Sequence, residues 1–418
     1  MTRITRITTF IIIILILIGS RKTSESDTYT FHPVSISQVI KNNYFSSDEY
    51  SQIDSLFNKF IRHYQLKGAS VAIAYDNKLI YAKGFGYADA ENNETVEPYH
   101  LFRIASCSKL ITAIAILKII QDHQLSLNDK VFGINGILND SIYLNYKDKR
   151  VEQITIKHLL EHSGGWRSRK NDPMFNYHFT AFKLRKSLPL KTEDIIEYNL
   201  TKKLDFTPGT RSSYSNLGYA ILGKVIEKIS GLPYDIYVKQ NILIPAGIYD
   251  MHIGKSLEQE RLNNEVKYYT QNEVNTLSFY DSSLVQVQYG GNDIQSLAAA
   301  GGWIAAPAEL IKLILAIDGK NEQLDILNPE SIDILFSQNK GYSPIGWKKT
   351  NGNIYIRTGT LSGTLAYIYY NKDGIIWIFE TNTSYWKPNE LRNTLNIIMN
   401  KVVSLIPNKT FDYFSLQY

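Results

Sequence analysis

Ser106-Cys107-Ser108-Lys109 opens an apolar helical run, Leu110-Ile111-Thr112-Ala113-Ile114-Ala115-Ile116-Leu117. Residues three apart share a face of a helix, so the Ser106 hydroxyl and the Lys109 amine can meet. An unassisted serine is a poor nucleophile, and an adjacent base makes it reactive. Ser108 sits one residue from Lys109 and points elsewhere, which leaves Ser106 as the candidate nucleophile.

Two motifs follow in a telling order. Tyr214-Ser215-Asn216 precedes the helical stretch Leu217 to Ile226. Arg357-Thr358-Gly359-Thr360 ends a β-like run, Asn353-Ile354-Tyr355-Ile356. A Ser–Lys pair, a Tyr–Asn pair and a basic residue before Thr-Gly are the parts of a Ser–Lys acyl-transfer site. Spacing alone does not select them. Ser-x-x-Lys recurs at Ser337 and Lys340 and at Ser384 and Lys387, and Tyr-x-Asn at Tyr143-Leu144-Asn145. Taken singly, Ser106 also reads as a helix cap, Tyr214 as a core aromatic and Arg357 as a surface cation. Order and context carry the assignment.

On these motifs the chain resembles the serine β-lactamase and penicillin-binding protein superfamily, in its class C-like branch. Ala69 to Ala74 with Gly84-Phe85-Gly86-Tyr87-Ala88 looks like that branch's opening hairpin. Ile154 to Gly165, Phe206-Thr207-Pro208-Gly209 and Ala300-Gly301-Gly302-Trp303 are similar to its other signatures. The resemblance implies an acyl-enzyme on Ser106. Lys109 and Tyr214 share the proton transfers, and Asn216 orients a substrate amide. The backbone N–H groups of Ser106 and Thr360 form the oxyanion hole, with Gly359 letting the strand approach the substrate. Thr358 completes the substrate-binding strand. Class C β-lactamases carry Lys where this chain has Arg357. A guanidinium keeps the charge but cannot shuttle protons. The expected role of Arg357 is to dock a substrate carboxylate, which argues against efficient β-lactam turnover and leaves amide or ester hydrolysis intact. The resemblance requires no cofactor and no metal.

Composition narrows the partners. The formal charge of +5 over 418 residues falls to +3 once Arg3 and Arg6 are set aside, and the remaining charges alternate in sign. No basic block of the nucleic-acid type is present. The expected partner is a small-molecule or peptide substrate, and the chain is expected as a monomer. Arg3 and Arg6 precede an apolar run, Ile7 to Ile18, with Gly19-Ser20 after it. This pattern matches a signal peptide at residues 1–20. It also allows a short N-terminal anchor, hence membrane attachment, because the cleavage site is not a clean Ala-x-Ala. The expected location is a bacterial periplasm or envelope. Cys107 is the one cysteine, so no intramolecular disulfide can form.

The chain divides into a linker at residues 21–48, a hydrolase domain at 49–405 and a C-terminal tail at 406–418. An amphipathic helix is expected from Asp48 to Tyr64, with strands near 69–75 and 78–83. A helical middle spans about 106–245. Strands follow at 354–357, 364–370 and 375–381, with a hairpin turn at Asn371-Lys372-Asp373-Gly374. A last helix covers 388–404. The expected class is α/β (α+β), β-lactamase/transpeptidase-like: an antiparallel sheet from both chain ends flanked by helices, with a mostly helical second lobe. Ser168 to Asn199 and Tyr268 to Asp293 read as long loops bordering the cleft.

Two other readings stay open. His158-Leu159-Leu160-Glu161-His162 has the His-x-x-Glu-His spacing of a zinc peptidase class. A non-catalytic sensor or cell-wall binding module on the same fold would keep the site without turnover.

Overall fold

The computed structural model describes residues 35, 39–167, 172–321, 325–338, 341–406 and 411–417. The segment expected as a signal peptide or anchor and most of the expected linker lie outside the described residues.

The first helix, α1 (Ser51–His63), buries Ile53, Phe57, Phe60 and Ile61, the one-face spacing of an amphipathic helix. It lies on the sheet, with Phe57 against Phe85 at 5.0 Å between ring centroids and Phe60 edge-on to Phe379 at 5.7 Å. The hairpin of β1 (Gly68–Tyr75) and β2 (Lys78–Asp89) turns at Asp76-Asn77, both with positive φ. Two left-handed residues match the twist of the flanking strands. β2 runs six residues beyond the expected end at 83 and pairs with β3 (Glu94–Thr95).

The helical middle begins with α2 (Ser108–Gln121). Every residue from Ser108 to Leu117 is buried, as an apolar helix without a polar face requires. Ser168 to Asn199, expected as loop, holds α3 (Tyr177–Leu184) and most of α4 (Thr192–Leu200). The short helical period of each was masked by the Lys and Arg residues between them. Tyr268 to Asp293 contributes a small hairpin, Asn275–Leu277 with Leu284–Gln286. The two segments meet: Tyr177 and Phe279 lie 6.1 Å apart, and the Asp293 N–H donates to the Tyr177 hydroxyl. Next comes α5 (Asn216–Ser230), closed by Gly231 in the left-handed region.

The chain end supplies β4 (Lys349–Thr350), β5 (Ile354–Leu361), β6 (Thr364–Asn371) and β7 (Ile375–Thr381), then α6 (Pro388–Leu405). The sheet order is β4-β5-β6-β7-β1-β2-β3, antiparallel throughout. β7 and β1 join the two chain ends, from Ala69 opposite Thr381 to Tyr75 opposite Ile375. The expected antiparallel sheet built from both ends, with a mostly helical second lobe, is therefore the fold.

The packed region exceeds 49–405. Ile40 and Phe45 are buried, and Asn42 bonds Val96 and Gly84 across the sheet edge. Tyr413 packs on Phe45 at 4.5 Å, and Asp412 accepts from the Leu79 N–H. Parts of the expected linker and tail thus cover the outer side of β2.

One buried group on the sheet is costly. Glu380 pairs with Ser70 and Ala366, is fully buried, and neither carboxyl oxygen has a hydrogen-bond partner among the described residues. Burial drives its pKa well above the carboxylate value of 4.5. The folded state therefore holds a proton that the unfolded chain releases. Stability is highest below about pH 4.5 and falls as pH rises towards the folded pKa. Glu380→Gln should flatten this slope, so that denaturant midpoints at pH 5 and pH 8 differ less than in the wild type.

Candidate active site

Ser106, the candidate nucleophile, sits on a pinned turn. Phe102 and Arg103 pair with Ala305 and Ile304, and the Ile104 N–H donates to Trp303 O at 3.0 Å. The Arg103 guanidinium donates to the carbonyls of Gln288 and Lys255 and lies 4.2 Å from the Tyr268 ring centroid. The chain then enters a 3-10 turn, Ala105–Cys107, with Ala105 at φ +47°. A non-glycine residue held there is strained, and such strain clusters at functional sites. The turn leaves Ser106 partly exposed while Cys107 and Ser108 are buried.

Ser108 is structural. Its hydroxyl donates to Ala105 O at 2.7 Å and accepts from the Trp303 N–H at 3.1 Å. Burial pushes the Cys107 thiol up to about 12, which removes it as a thiolate nucleophile at neutral pH.

Lys109 is fully buried. Its Nζ lies 3.5 Å from Ser106 Oγ and donates to Asn216 Oδ1 at 2.6 Å and to the Ala300 carbonyl. Burial lowers its pKa against the opposing pull of Tyr214, and Arg357 lowers it further. Tyr214 precedes α5, whose cap is Ser215, and its hydroxyl donates to Ser106 Oγ at 2.7 Å. The residue is 42% exposed, yet its hydroxyl end is enclosed by Ser106 and Lys109. Burial alone would raise its pKa; Lys109 and Arg357 outweigh that and bring it below the usual phenol value. A lysine easier to neutralise beside a tyrosine easier to ionise is a pair suited to passing protons.

Gly359 is required by close approach. A Cβ there would stand 2.0 Å from Ile104 O, so only glycine lets β5 press against the nucleophile turn. Arg357 does not line the cleft as a free fork. It is 1% exposed, and its Nε donates to Ser106 O at 2.7 Å, behind the nucleophile. The sheet's alternation turns residue 357 towards the turn rather than towards substrate. The hydroxyls of Thr358 and Thr360 accept from Lys348 and Arg392.

This placement gives Arg357 a different measurable role. Replacing it with Met removes a charge that lowers both Lys109 and Tyr214. Both pKa values should rise, so the deprotonated base appears at higher pH. The acidic limb of the kcat/KM profile should move upward by about one unit or more, for neutral and carboxylate-bearing substrates alike. A loss confined to carboxylate substrates would restore the docking role.

Sequence reading gave three contributors no part in this site, although His162 and Ala300 lie within its quoted signatures. His162 is buried beneath Tyr214, 4.6 Å between centroids, and its Nδ1 accepts from the Ser215 N–H. Burial drives its pKa well down, so the neutral ring holds Tyr214 in place. The short helix Ile156–Leu160 ends before His162, which has φ +57°. The two histidines therefore do not share one helical face, and His158 instead caps that helix at Thr155. The zinc spacing is not realised. The carbonyl of Ala300 is the second. The third is Asp172, whose Oδ2 accepts from Asn216 Nδ2 at 2.7 Å across 44 residues. A cavity of about 780 Å³ lined by Gln121, Asp318, Tyr370 and Lys372 contains none of these residues.

The Beta-lactamase family model matches residues 53–398, the span holding all of the groups above. The chain belongs to the Beta-lactamase family. It is 24% identical over 353 residues to Protein flp of Staphylococcus aureus, covering 81% of this chain and 65% of that protein's length. Penicillin-binding protein 4* of Bacillus subtilis is 28% identical over 215 residues, 51% of this chain and 44% of the relative. Among solved structures, the octameric penicillin-binding protein homologue of Pyrococcus abyssi superposes at TM-score 0.63 with 25% identity, covering 85% and 78% of the two chains. D-amino acid amidase of Ochrobactrum anthropi superposes at TM-score 0.66 with 18% identity, covering 86% and 99%, a likeness of fold.

Proposed function

We propose that the chain is a serine hydrolase that forms an acyl-enzyme on Ser106 and hydrolyses an amide or ester. The substrate classes that fit are D-amino-acid amides or peptides, peptidoglycan-type peptides and small esters. The observation that carries this reading is Ser106 Oγ held by Tyr214 at 2.7 Å with Lys109 at 3.5 Å.

Ser106 Oγ attacks the carbonyl carbon while its proton passes to the Lys109–Tyr214 pair. The oxyanion is met by the N–H groups of Ser106 and Thr360, where losing one donor typically costs about 10²–10³ in rate. The pair returns the proton to the leaving amine or alkoxide as the C–N or C–O bond breaks. Water then attacks the acyl carbonyl, giving its proton to the same pair, and Ser106 is released. Asn216 keeps one amide hydrogen for a substrate carbonyl, because Asp172 takes the other. The relatives named as penicillin-binding proteins and D-amino acid amidases support an amide substrate. The N-terminal pattern of Arg3, Arg6 and an apolar run supports export to a bacterial envelope.

The test is a panel of D- and L-amino acid amides, a D-Ala-D-Ala peptide, a p-nitrophenyl ester and a penicillin, with initial rates and intact mass after a fluorophosphonate. Turnover of an amide or ester with the adduct on Ser106 is expected. An adduct without turnover of any substrate would favour a sensor, and the absence of any adduct would end the acyl-enzyme reading.

A further inference from the structure

Two neighbouring helices leave aromatic rings in the open. On α3, Phe179 and Phe182 are 45% and 75% exposed, and Lys183 Nζ lies 5.3 and 5.7 Å from their ring centroids. Residues three apart share one face of a helix. Phe179 meets Tyr198 of α4 edge-on at 6.2 Å, and Lys202 Nζ lies 3.7 Å over the Tyr198 ring. Phe182, Lys183, Phe179, Tyr198 and Lys202 thus form one continuous patch in which rings and ammonium groups are interleaved. Other side chains do the packing: Thr180 and Ala181 are buried on α3, and Ile195, Ile196 and Leu200 on α4. The core therefore does not use the two phenylalanines, and water is a poor environment for them.

Charge decides what the patch fits. From Tyr177 to Lys203 the sequence has six Lys or Arg against three Asp or Glu, a net charge of +3. Apart from residues 1–20, the rest of the chain sums to zero, so this segment carries its whole excess. The three carboxylates are all held by lysines, Asp194 and Glu197 by Lys186 and Glu193 by Lys224 of α5. Lys183, Arg185, Lys202 and Lys203 are exposed. A surface that offers apolar rings and positive charge together is complementary to a bilayer with anionic headgroups. The rings enter the headgroup boundary while the ammonium groups stay with the phosphates.

We propose that the face formed by α3 and the end of α4 docks on the surface of an anionic lipid bilayer. This goes beyond the reading of Ser106 as a nucleophile and does not depend on it. α3 begins shortly after Asp172, which accepts from Asn216 in the site. Docking there brings the cleft to the lipid surface and favours substrates held at it.

The experiment is hydrogen exchange on the full chain, alone and with saturating vesicles of phosphatidylcholine or of phosphatidylcholine mixed with phosphatidylglycerol. Exchange is the readout because the apolar run Ile7 to Ile18 can itself hold the chain on a vesicle. The mixed vesicles should slow exchange across Tyr177 to Leu184 and Tyr198 to Lys203 by about fivefold or more, the worth of one surface cation at such a bilayer. Neutral vesicles should not, and raised salt should weaken the effect. Phe179→Ser with Phe182→Ser keeps the charges, and Lys183→Gln with Lys202→Gln keeps the rings. Each pair should remove the protection and leave thermal melts as in the wild type. Unchanged exchange in this segment on mixed vesicles would overturn the proposal, whether the chain stays free or is held by its N-terminal run. So would equal slowing on neutral vesicles. Slowing that survives the phenylalanine pair would make the face an electrostatic surface for any polyanion, which also overturns it.

Discussion

Ser106→Ala should lower acyl transfer by up to about 10⁶, since a site whose members act as a unit fails when one is removed. Ser106 Oγ is where Tyr214 and Lys109 converge, so no neighbouring group inherits its role. Cys107→Ala should keep most of the activity, because its thiol is buried and held protonated. Ser108→Ala should act on stability instead. It strips a hydroxyl from two buried backbone groups, Ala105 O and the Trp303 N–H, at about 1–3 kcal/mol. Kinetics on the three variants, with thermal melts and intact-mass labelling, check the set. An adduct that persists in Ser106→Ala, on Ser108 or Cys107, would show the wrong nucleophile.

What could be read from the sequence was whatever local spacing controls. Ser106 and Lys109 are three residues apart, so helix geometry alone puts them together. Tyr214 and Asn216 flank a helix start, and β5 to β7 alternate with a turn at Asn371 to Gly374. The ends of the chain read as strands and the middle as helices, and that order dictates one sheet built from both termini. Length was harder than type. β2 continues to Asp89 because Gly84 and Gly86 let Val96 and Lys67 approach closely, a tertiary contact with no local period.

The larger misses concern direction and partnership. Position 357 was found, but its side chain was expected to face substrate. Its register opposite Ile368 turns it inward, where Ser106 O takes it. Asp172 gave no signal at all. It reaches Asn216 from just before α3, whose Tyr177 lies against Phe279 in the loop of the small hairpin. The first of the two stretches that read as long loops bordering the cleft thus brings a carboxylate to Asn216. His162 was visible within a signature, yet its spacing to His158 suggested a metal. The left-handed break after Leu160 turns it under Tyr214 instead.

Lys109 and Tyr214 should prove inseparable. Tyr214→Phe removes only the hydroxyl and leaves the ring on His162. Lys109→Met removes the amine and keeps a long apolar stem in a fully buried position, though Asn216 Oδ1 and Ala300 O lose their donor. Each change should cost about 10²–10⁴ in kcat/KM, the range for a positioned proton-transfer group. The reason to expect coupling is electrostatic as well as chemical. Lys109 lowers the Tyr214 pKa, and Tyr214 in turn favours the charged lysine. The proton therefore belongs to the pair, and either loss disables the same transfers. The double variant should fall within about tenfold of the worse single one, far from the product of the two losses. Because the lysine is buried, thermal melts must accompany the kinetics of all three variants, and Tyr214→Phe, which leaves the buried amine in place, sets the reference. A double variant that loses the full product would mean two independent roles, with Tyr214 acting on the leaving group and Lys109 only holding Asn216 in place.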